Sequence, residues 1–394
     1  MPIVILAILL SLIIAAVPVA AVLGILSLSL DEIFMRGRRS LMLGDFVWEQ
    51  SVEYILVAIP MFILLGEIML RAGIALRMYN AVIQWLSWLP GGLMHANIGS
   101  CAIFAASSGS SVATAATVGT VAYPEIEKRR YNERLFLGSL AAGGTLGILV
   151  PPSINLIIYG LLTDTSVPEL YLAGILPGVS LALLFMGVIV IACLVRPQLD
   201  GVKVETNWKS RIKVLPDLLP PIILFMAVVG SIYAGVATPT EAAGCGAMGA
   251  LLLSLAYKKL TLPKLQDALV KTLEITALIM VLVAASNFFG AVFARLGTPT
   301  LLTEFLLGLE MNKYLILGMI MIMIFLLGWP LEWVPIVMII VPIILPLVEA
   351  LGFNLTWFAI LVAVNLQTAW LSPPVALSAY FLKGVVPEWD LKDI

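Results

Sequence analysis

The sequence predicts an all-α polytopic membrane protein made of two inverted repeats, and three observations carry that prediction. First, 61% of the 394 residues are hydrophobic and 12% are charged, with a mean hydropathy of +1.08. A soluble domain holds roughly 45–50% apolar and roughly 25% charged residues. Second, helix-breaking sequence recurs inside apolar stretches at matching places in the two halves. Third, the lysines and arginines fall on loops that alternate to one side. A net charge of −2 gives no footprint for nucleic acid. The three cysteines (Cys101, Cys193, Cys245) are far apart in apolar sequence, so neither a disulfide framework nor a metal cluster follows. His95 is the only histidine, which removes most histidine chemistry.

In chain order, the run Ile3 to Leu30 lacks a basic n-region and is too long for a signal sequence, so it reads as the first span. Further spans are expected near 52–70, 135–161, 170–195, 215–234, 240–257, 272–293 and 355–386. Ile74 to Leu89 sets Arg77, Asn80 and Gln84 among Leu76, Val82, Ile83, Trp85 and Trp88, a pattern that lies along the interface. Residues 1–195 form the first repeat, with a re-entrant hairpin at about 96–123 and a broken helix at about 135–161. Residues 196–216 are a polar, basic cytoplasmic linker. Residues 217–394 form the second repeat, with a hairpin at about 314–349 and a broken helix at about 355–386.

The breaks are specific. Ser107-Ser108-Gly109-Ser110-Ser111 interrupts the first hairpin and Pro151-Pro152-Ser153 the span after it. Gly328-Trp329-Pro330 and Ser372-Pro373-Pro374 repeat the arrangement, the two Pro-Pro pairs lying about 222 residues apart. Irregular backbone at membrane depth is tolerated only where protein or a polar cavity satisfies the freed N–H and C=O groups. Paired breaks in two halves are the sequence pointer to the midplane site of a secondary transporter. An isolated Pro pair would read as an ordinary kink.

Arg36, Arg38 and Arg39 share one loop, and Lys128, Arg129, Arg130 and Arg134 the next. Arg196, Lys203, Lys209, Arg211 and Lys213 then fill the linker. Lys258, Lys259, Lys264 and Lys271 follow, then Lys383 and Lys392; by the positive-inside rule all these face the cytoplasm. The loops between them, such as Thr163 to Glu169 and Tyr233 to Glu241, carry no Lys or Arg. The two hairpins therefore open to opposite sides, the signature of inverted repeats.

Hydroxyl oxygens and carbonyls freed at helix ends suit a hard cation such as sodium, while half-helix N-termini face anionic substrate. On that basis Ser107, Gly109, Ser110, Ser111, Thr114, Pro151, Gly328, Glu332, Asn365 and Ser372 are candidate sodium-site residues. Ser108, Pro152, Ser153, Asn155, Thr368, Pro373 and Pro374 are candidate substrate-site residues. Each has a plainer reading: a small-residue packing seam for the serines, interhelical hydrogen bonds for Asn365 and Gln367, a helix cap for Glu332. Glu67, four residues before Arg71, reads as one half of a local ion pair, and Thr238-Pro239-Thr240-Glu241 as a helix start. Two other classes compete. Ser110 with His95 would make an intramembrane hydrolase, and a continuous pore would make a channel.

Several stretches together resemble the large membrane subunit of TRAP (tripartite ATP-independent periplasmic) transporters. They are Ile59-Pro60-Met61-Phe62-Ile63-Leu64-Leu65-Gly66-Glu67, Ser107 with Gly109-Ser110-Ser111 and Ala113-Thr114, and Leu149-Val150-Pro151-Pro152-Ser153. In the second half, Ala237-Thr238-Pro239-Thr240-Glu241-Ala242-Ala243 and Asn365 with Ser372-Pro373-Pro374 complete the set. The resemblance covers nearly the whole chain. It implies a multi-pass protein of a bacterial or archaeal cytoplasmic (inner) membrane, an elevator with a scaffold and a mobile transport domain. It also implies sodium-coupled symport, not enzymatic activity, and a small membrane subunit beside the chain among membrane lipid. A soluble periplasmic substrate-binding protein would deliver a small organic acid. Two departures stand out: the second tip (Gly328 to Trp333) is bulkier than the first, and family members continue one span beyond the position of Ile394. The related alternative is a stand-alone organic-anion carrier.

Overall fold

The computed structural model describes residues 17–37, 40–202, 206–329, 331–373 and 376–385, together with Ile8, Ser11, Leu12, Ala15, Val204, Asp390, Leu391 and Ile394. Among them every regular element is helical. Among the described residues, five helical segments are long and apolar enough to cross a membrane: Tyr54–Arg71, Val167–Val195, Trp208–Tyr233, Leu262–Arg295 and Trp333–Ala350. Shorter apolar helices, Ile154–Thr163, Lys313–Leu327 and Leu355–Leu371, stop partway, as the breaks require.

One group of helices packs around Ala58–Arg71: Pro239–Ala256 lies against it, and Leu262–Arg295 joins it to Val19–Met35. Pro239–Ala256 begins as its sequence dictates. The Thr238 side chain accepts from the Glu241 N–H, the Glu241 carboxylate accepts from the Thr238 N–H, and Pro239 sits where no donor is needed. Glu67 and Arg71 pair one helical turn apart. Leu262–Arg295 starts ten residues before the apolar core of its span, because Lys264, Asp267, Lys271 and Glu274 dilute hydropathy without breaking helical periodicity.

The other group holds the hairpins and broken helices. The first hairpin is Leu93–Ser108 and Ser111–Ala122; its outer arm packs on Glu133–Thr145, and its inner arm on both Glu133–Thr145 and Leu377–Val385. The second is Lys313–Leu327 and Trp333–Ala350. The latter helix widens to a π turn over Ile336–Ile340, where the Ser286 hydroxyl donates to the Met338 carbonyl.

The stretch read as a linker is partly helical. Trp208–Tyr233 starts inside it, behind an Asn207–Ser210 capping box, and runs through Pro216, Pro220 and Pro221. It is anchored to the amphipathic helix Ile74–Leu86. The Ser210 hydroxyl donates to Gln84 Oε1 at 2.9 Å, and Trp85 meets Trp208 edge-on at 6.4 Å. Charge placement alone gave no sign of this docking. Of the residues read as the first span, Ile8, Ser11 and Leu12 are helical and a continuous described helix runs from Val19.

Candidate functional site

The first tip is built from its backbone outward. Leu93–Ser108 ends at Gly109, whose φ of +63° is the left-handed turn that glycine adopts without strain. A Cβ at Gly109 would meet the Pro152 carbonyl oxygen at 2.6 Å, so glycine is also required by the close approach of the break. Ser110 is extended, and its Oγ accepts from the Ala113 N–H at 3.3 Å, capping Ser111–Ala122. The Ser110 carbonyl accepts from the Thr114 hydroxyl at 2.7 Å. Ser107 donates back to the Ile103 carbonyl at 3.0 Å, and Ser108 Oγ lies 3.4 Å from Thr114 Oγ1. Ser107, Ser108 and Thr114 thus satisfy one another and their own hairpin.

The first broken helix tightens from Glu133–Thr145 into a 3₁₀ turn, Leu146–Ile148, before leaving helical geometry and resuming at Ile154–Thr163. Its Ser153 hydroxyl donates to the Ile148 carbonyl at 2.6 Å, and the Ile154 N–H donates to the Gly109 carbonyl at 3.4 Å, tying break to tip. Gly147 makes the approach possible: a Cβ there would sit 2.6 Å from the Ser111 nitrogen.

A cavity of about 280 Å³ opens at this junction. The first half contributes Gly109, Ser110, Ser111, Gly147, Ile154 and Asn155, and the second half Glu332, Trp333, Trp370, Leu377 and Phe381. Lys271, Ile275, Leu278, Ile279 and Leu282, one stripe at helical spacing, close the remaining wall. Ser111, Ile154, Trp333 and Leu377 are each the first residue of a helix, so four helix N-termini converge on one space. The Ile154 N–H is taken by the Gly109 carbonyl and the Ala113 N–H by Ser110 Oγ; the remaining first-turn N–H groups carry partial positive charge and favour an anion. Ser111 Oγ and Asn155 Oδ1, both on this wall and buried, have no hydrogen-bond partner. Buried polar atoms without partners mark a place where a ligand or water completes the set. The tip's neutral hydroxyl and carbonyl oxygens also suit a hard monovalent cation. Among the described residues, no three His, Cys, Asp or Glu side chains gather where a metal ion could be held.

The second half repeats the packing of tip on break. A Cβ at Gly328 would meet the Ala369 Cβ at 2.9 Å. Asn365 donates to the Met321 carbonyl at 2.7 Å, Thr368 donates to the Asn365 carbonyl at 2.6 Å, and the Ser372 N–H donates to the Thr368 carbonyl. Glu332 precedes Trp333–Ala350 but makes no side-chain cap hydrogen bond; it lies on the cavity wall. Thr145 donates to Gln367 Oε1 at 2.6 Å, joining the two broken helices.

Of the residues singled out in the sequence, Gly109, Ser110, Ser111, Asn155 and Glu332 line the shared cavity. Pro152 and Ser153 stand behind it, while Gly328, Asn365, Thr368 and Ser372 make contacts within the second half. Pro151 faces a separate, apolar cavity of about 370 Å³ with Ala102, Ile103, Val179 and Phe225. Pro373 is exposed, and Pro330 and Pro374 lie outside the described residues. Sequence reasoning missed Gly147, Lys271 and the aromatic wall. Only Gly147, in the small-residue run Gly143-Gly144-Thr145-Leu146-Gly147, left a local trace. His95 is bonded to the Pro90 carbonyl at 2.7 Å, near the start of Leu93–Ser108. Thirteen residues of helix, about 20 Å at 1.5 Å each, separate it from Ser108, so it cannot serve Ser110 as a base.

Comparison with known proteins gives concordant findings. The family model described as "Tripartite ATP-independent periplasmic transporter, DctM component" matches residues 6–392. The chain is 33% identical over 342 residues to the C4-dicarboxylate TRAP transporter large permease protein DctM of Pseudomonas aeruginosa, covering 86% of this chain and 79% of that one. It is 30% identical over 336 residues to the sialic acid TRAP transporter large permease protein SiaM of Vibrio cholerae, covering 84% and 78%. It is also 30% identical to the isethionate TRAP transporter permease protein DctMQ of Oleidesulfovibrio alaskensis, covering 84% of this chain and 52% of that one. The YdaH transporter of Alcanivorax borkumensis shares the fold, with a TM-score of 0.63 over 99% of this chain and 92% of that one at 16% identity.

Proposed function

The chain belongs to the DctM component family of tripartite ATP-independent periplasmic transporters, and on that premise we propose that it is the large permease subunit for sodium-coupled uptake of an organic acid. It is a multi-pass inner-membrane protein and not an enzyme. The observation that carries the reading is the cavity where four helix N-termini meet three unpartnered polar groups, Ser111 Oγ, Asn155 Oδ1 and Trp370 Nε1. The helix N-termini and the Ser111 hydroxyl can donate to a carboxylate without a fixed counter-ion, so the anion can also leave, while Asn155 Oδ1, an acceptor, suits the coupled cation. The Ser108-to-Ser111 backbone beside it offers oxygen ligands for sodium, and bound sodium would lower the cost of bringing a carboxylate to membrane depth.

Alternating access follows from the repeat. Thr145 and Gln367 touch across 222 residues, the same offset as Pro152 and Pro374. Equivalent positions of a two-fold pair touch only at the axis, which supports inverted repeats whose hairpins and breaks move together against the other helices. A small membrane subunit and a soluble periplasmic binding protein complete the system, the second supplying the cleft that the short outward loops lack. The test is uptake by the three reconstituted components in proteoliposomes. Accumulation should need an inward sodium gradient; equal uptake in choline with only a proton gradient refutes sodium coupling. Full uptake by the chain alone points instead to a stand-alone carrier.

A further inference from the structure

We propose that the acid carried is a monocarboxylate with a compact apolar or aromatic body, in contrast to a sugar acid or a dicarboxylate. This rests on the reading above that the shared cavity holds the substrate. The cavity has one polar edge, Ser110, Ser111 and Asn155, where the helix N-termini converge. The rest of the lining is largely apolar, the Ile275-to-Leu282 stripe together with Trp333, Trp370 and Phe381, and the Trp370 and Phe381 rings stack at 6.0 Å with an interplanar angle of 22°. A carboxylate placed at the polar edge puts the remainder of the molecule against this wall. Hydroxyls there would lose water, and the aromatic wall offers them a single unpartnered donor, the Trp370 Nε1–H, too few for a ligand with several hydroxyls. An apolar ring or chain gains by the same burial.

Charge bears on the number of carboxylates. Lys271 and Glu332 are the ionisable residues of the lining, and only the lysine could pair with a carboxylate. Lys271 is half-exposed and already paired with Glu274 at 3.0 Å, so it offers little to a second carboxylate. Glu332 faces the same space and supplies no positive charge to hold one. One anionic end matches what the cavity supplies.

The two tryptophans make the cavity its own reporter. The membrane complex, purified intact in detergent, is titrated in sodium buffer with phenylacetate, phenylacetamide, succinate and N-acetylneuraminate while tryptophan fluorescence is followed. Phenylacetate should bind at least about tenfold more tightly than its neutral amide, and also more tightly than succinate or N-acetylneuraminate. Phe381→Ala should weaken phenylacetate and leave succinate unchanged. Ser111→Ala, which removes the unpartnered hydroxyl donor, should weaken every anion, and thermal unfolding checks that both variants are folded. Tighter binding of succinate or N-acetylneuraminate overturns the substrate class and leaves the anion site standing. No response to any anion at millimolar concentration overturns both.

Discussion

Gly147→Ala isolates the junction between the first broken helix and the first tip. The added Cβ would lie 2.6 Å from the Ser111 nitrogen, 2.8 Å from the Ser110 carbonyl carbon and 2.9 Å from the Ser111 Cα. Ordinary contact begins at 3.4 Å, so the two segments must part by the difference, about 0.8 Å. All three neighbours are backbone, and no rotamer change relieves them. Overpacking of this kind costs about 1–3 kcal/mol. If that cost falls on the intact tip, initial uptake falls between about fivefold and 150-fold. Gly138→Ala on the same broken helix is the matched control, since nothing lies within 4 Å of its added Cβ. It should leave transport unchanged and, as a helical Gly-to-Ala change, stabilise by about 0.5–1 kcal/mol. The assay is initial-rate uptake in vesicles against sodium concentration, with membrane insertion and monodispersity checked in parallel. Gly147→Ala transporting at the wild-type rate with unchanged sodium dependence would refute the tip-on-break junction as part of the site.

Ser110→Leu removes a cap and places a branched chain in the cavity. The protein should insert and fold with about 1 kcal/mol less stability, while uptake is lost; normal uptake would make the tip mere packing. Thr238→Ala removes the capping hydroxyl of Pro239–Ala256 and should cost about 0.5–2 kcal/mol in thermal unfolding with sodium dependence unchanged. In the short helix Pro124–Arg129 that follows the first hairpin, burial raises the Glu125 carboxyl, but hydrogen bonds from Arg129 and Lys128 outweigh it and hold the group below its usual range. A depressed carboxyl stabilises above its unfolded pKa, about 4.3, and loses that contribution as pH falls through the lower folded value. Glu125→Gln should therefore narrow the stability gap between pH 7 and pH 3 by no more than about 1 kcal/mol, as suits a partly exposed pair.

Much of the architecture was written locally. Composition requires a membrane, and a membrane makes every break in a helix costly, so Gly109-Ser110 and Pro151-Pro152 announced the first tip and break before any fold was known. The Thr238–Glu241 capping box and the Glu67–Arg71 pair are likewise contacts of three or four residues' reach, and the structure has both. Spacing could also say that the two halves match. It could not say which way each broken segment turns its side chains. Pro151, adjacent to Pro152, faces a different and apolar space, while Gly147, which carries no chemistry of its own, sets the depth of the tip. Lys271 counted in the sequence only as a cytoplasmic charge; in the folded chain it stands on the cavity wall with Ser111 and Trp370, residues from segments about a hundred positions or more away. Breaks and caps are decided by hydrogen bonds that the backbone must make within a turn or two, so sequence determines them. The membership of a cavity is decided by which helix faces meet when distant segments pack, and only the tertiary structure fixes that.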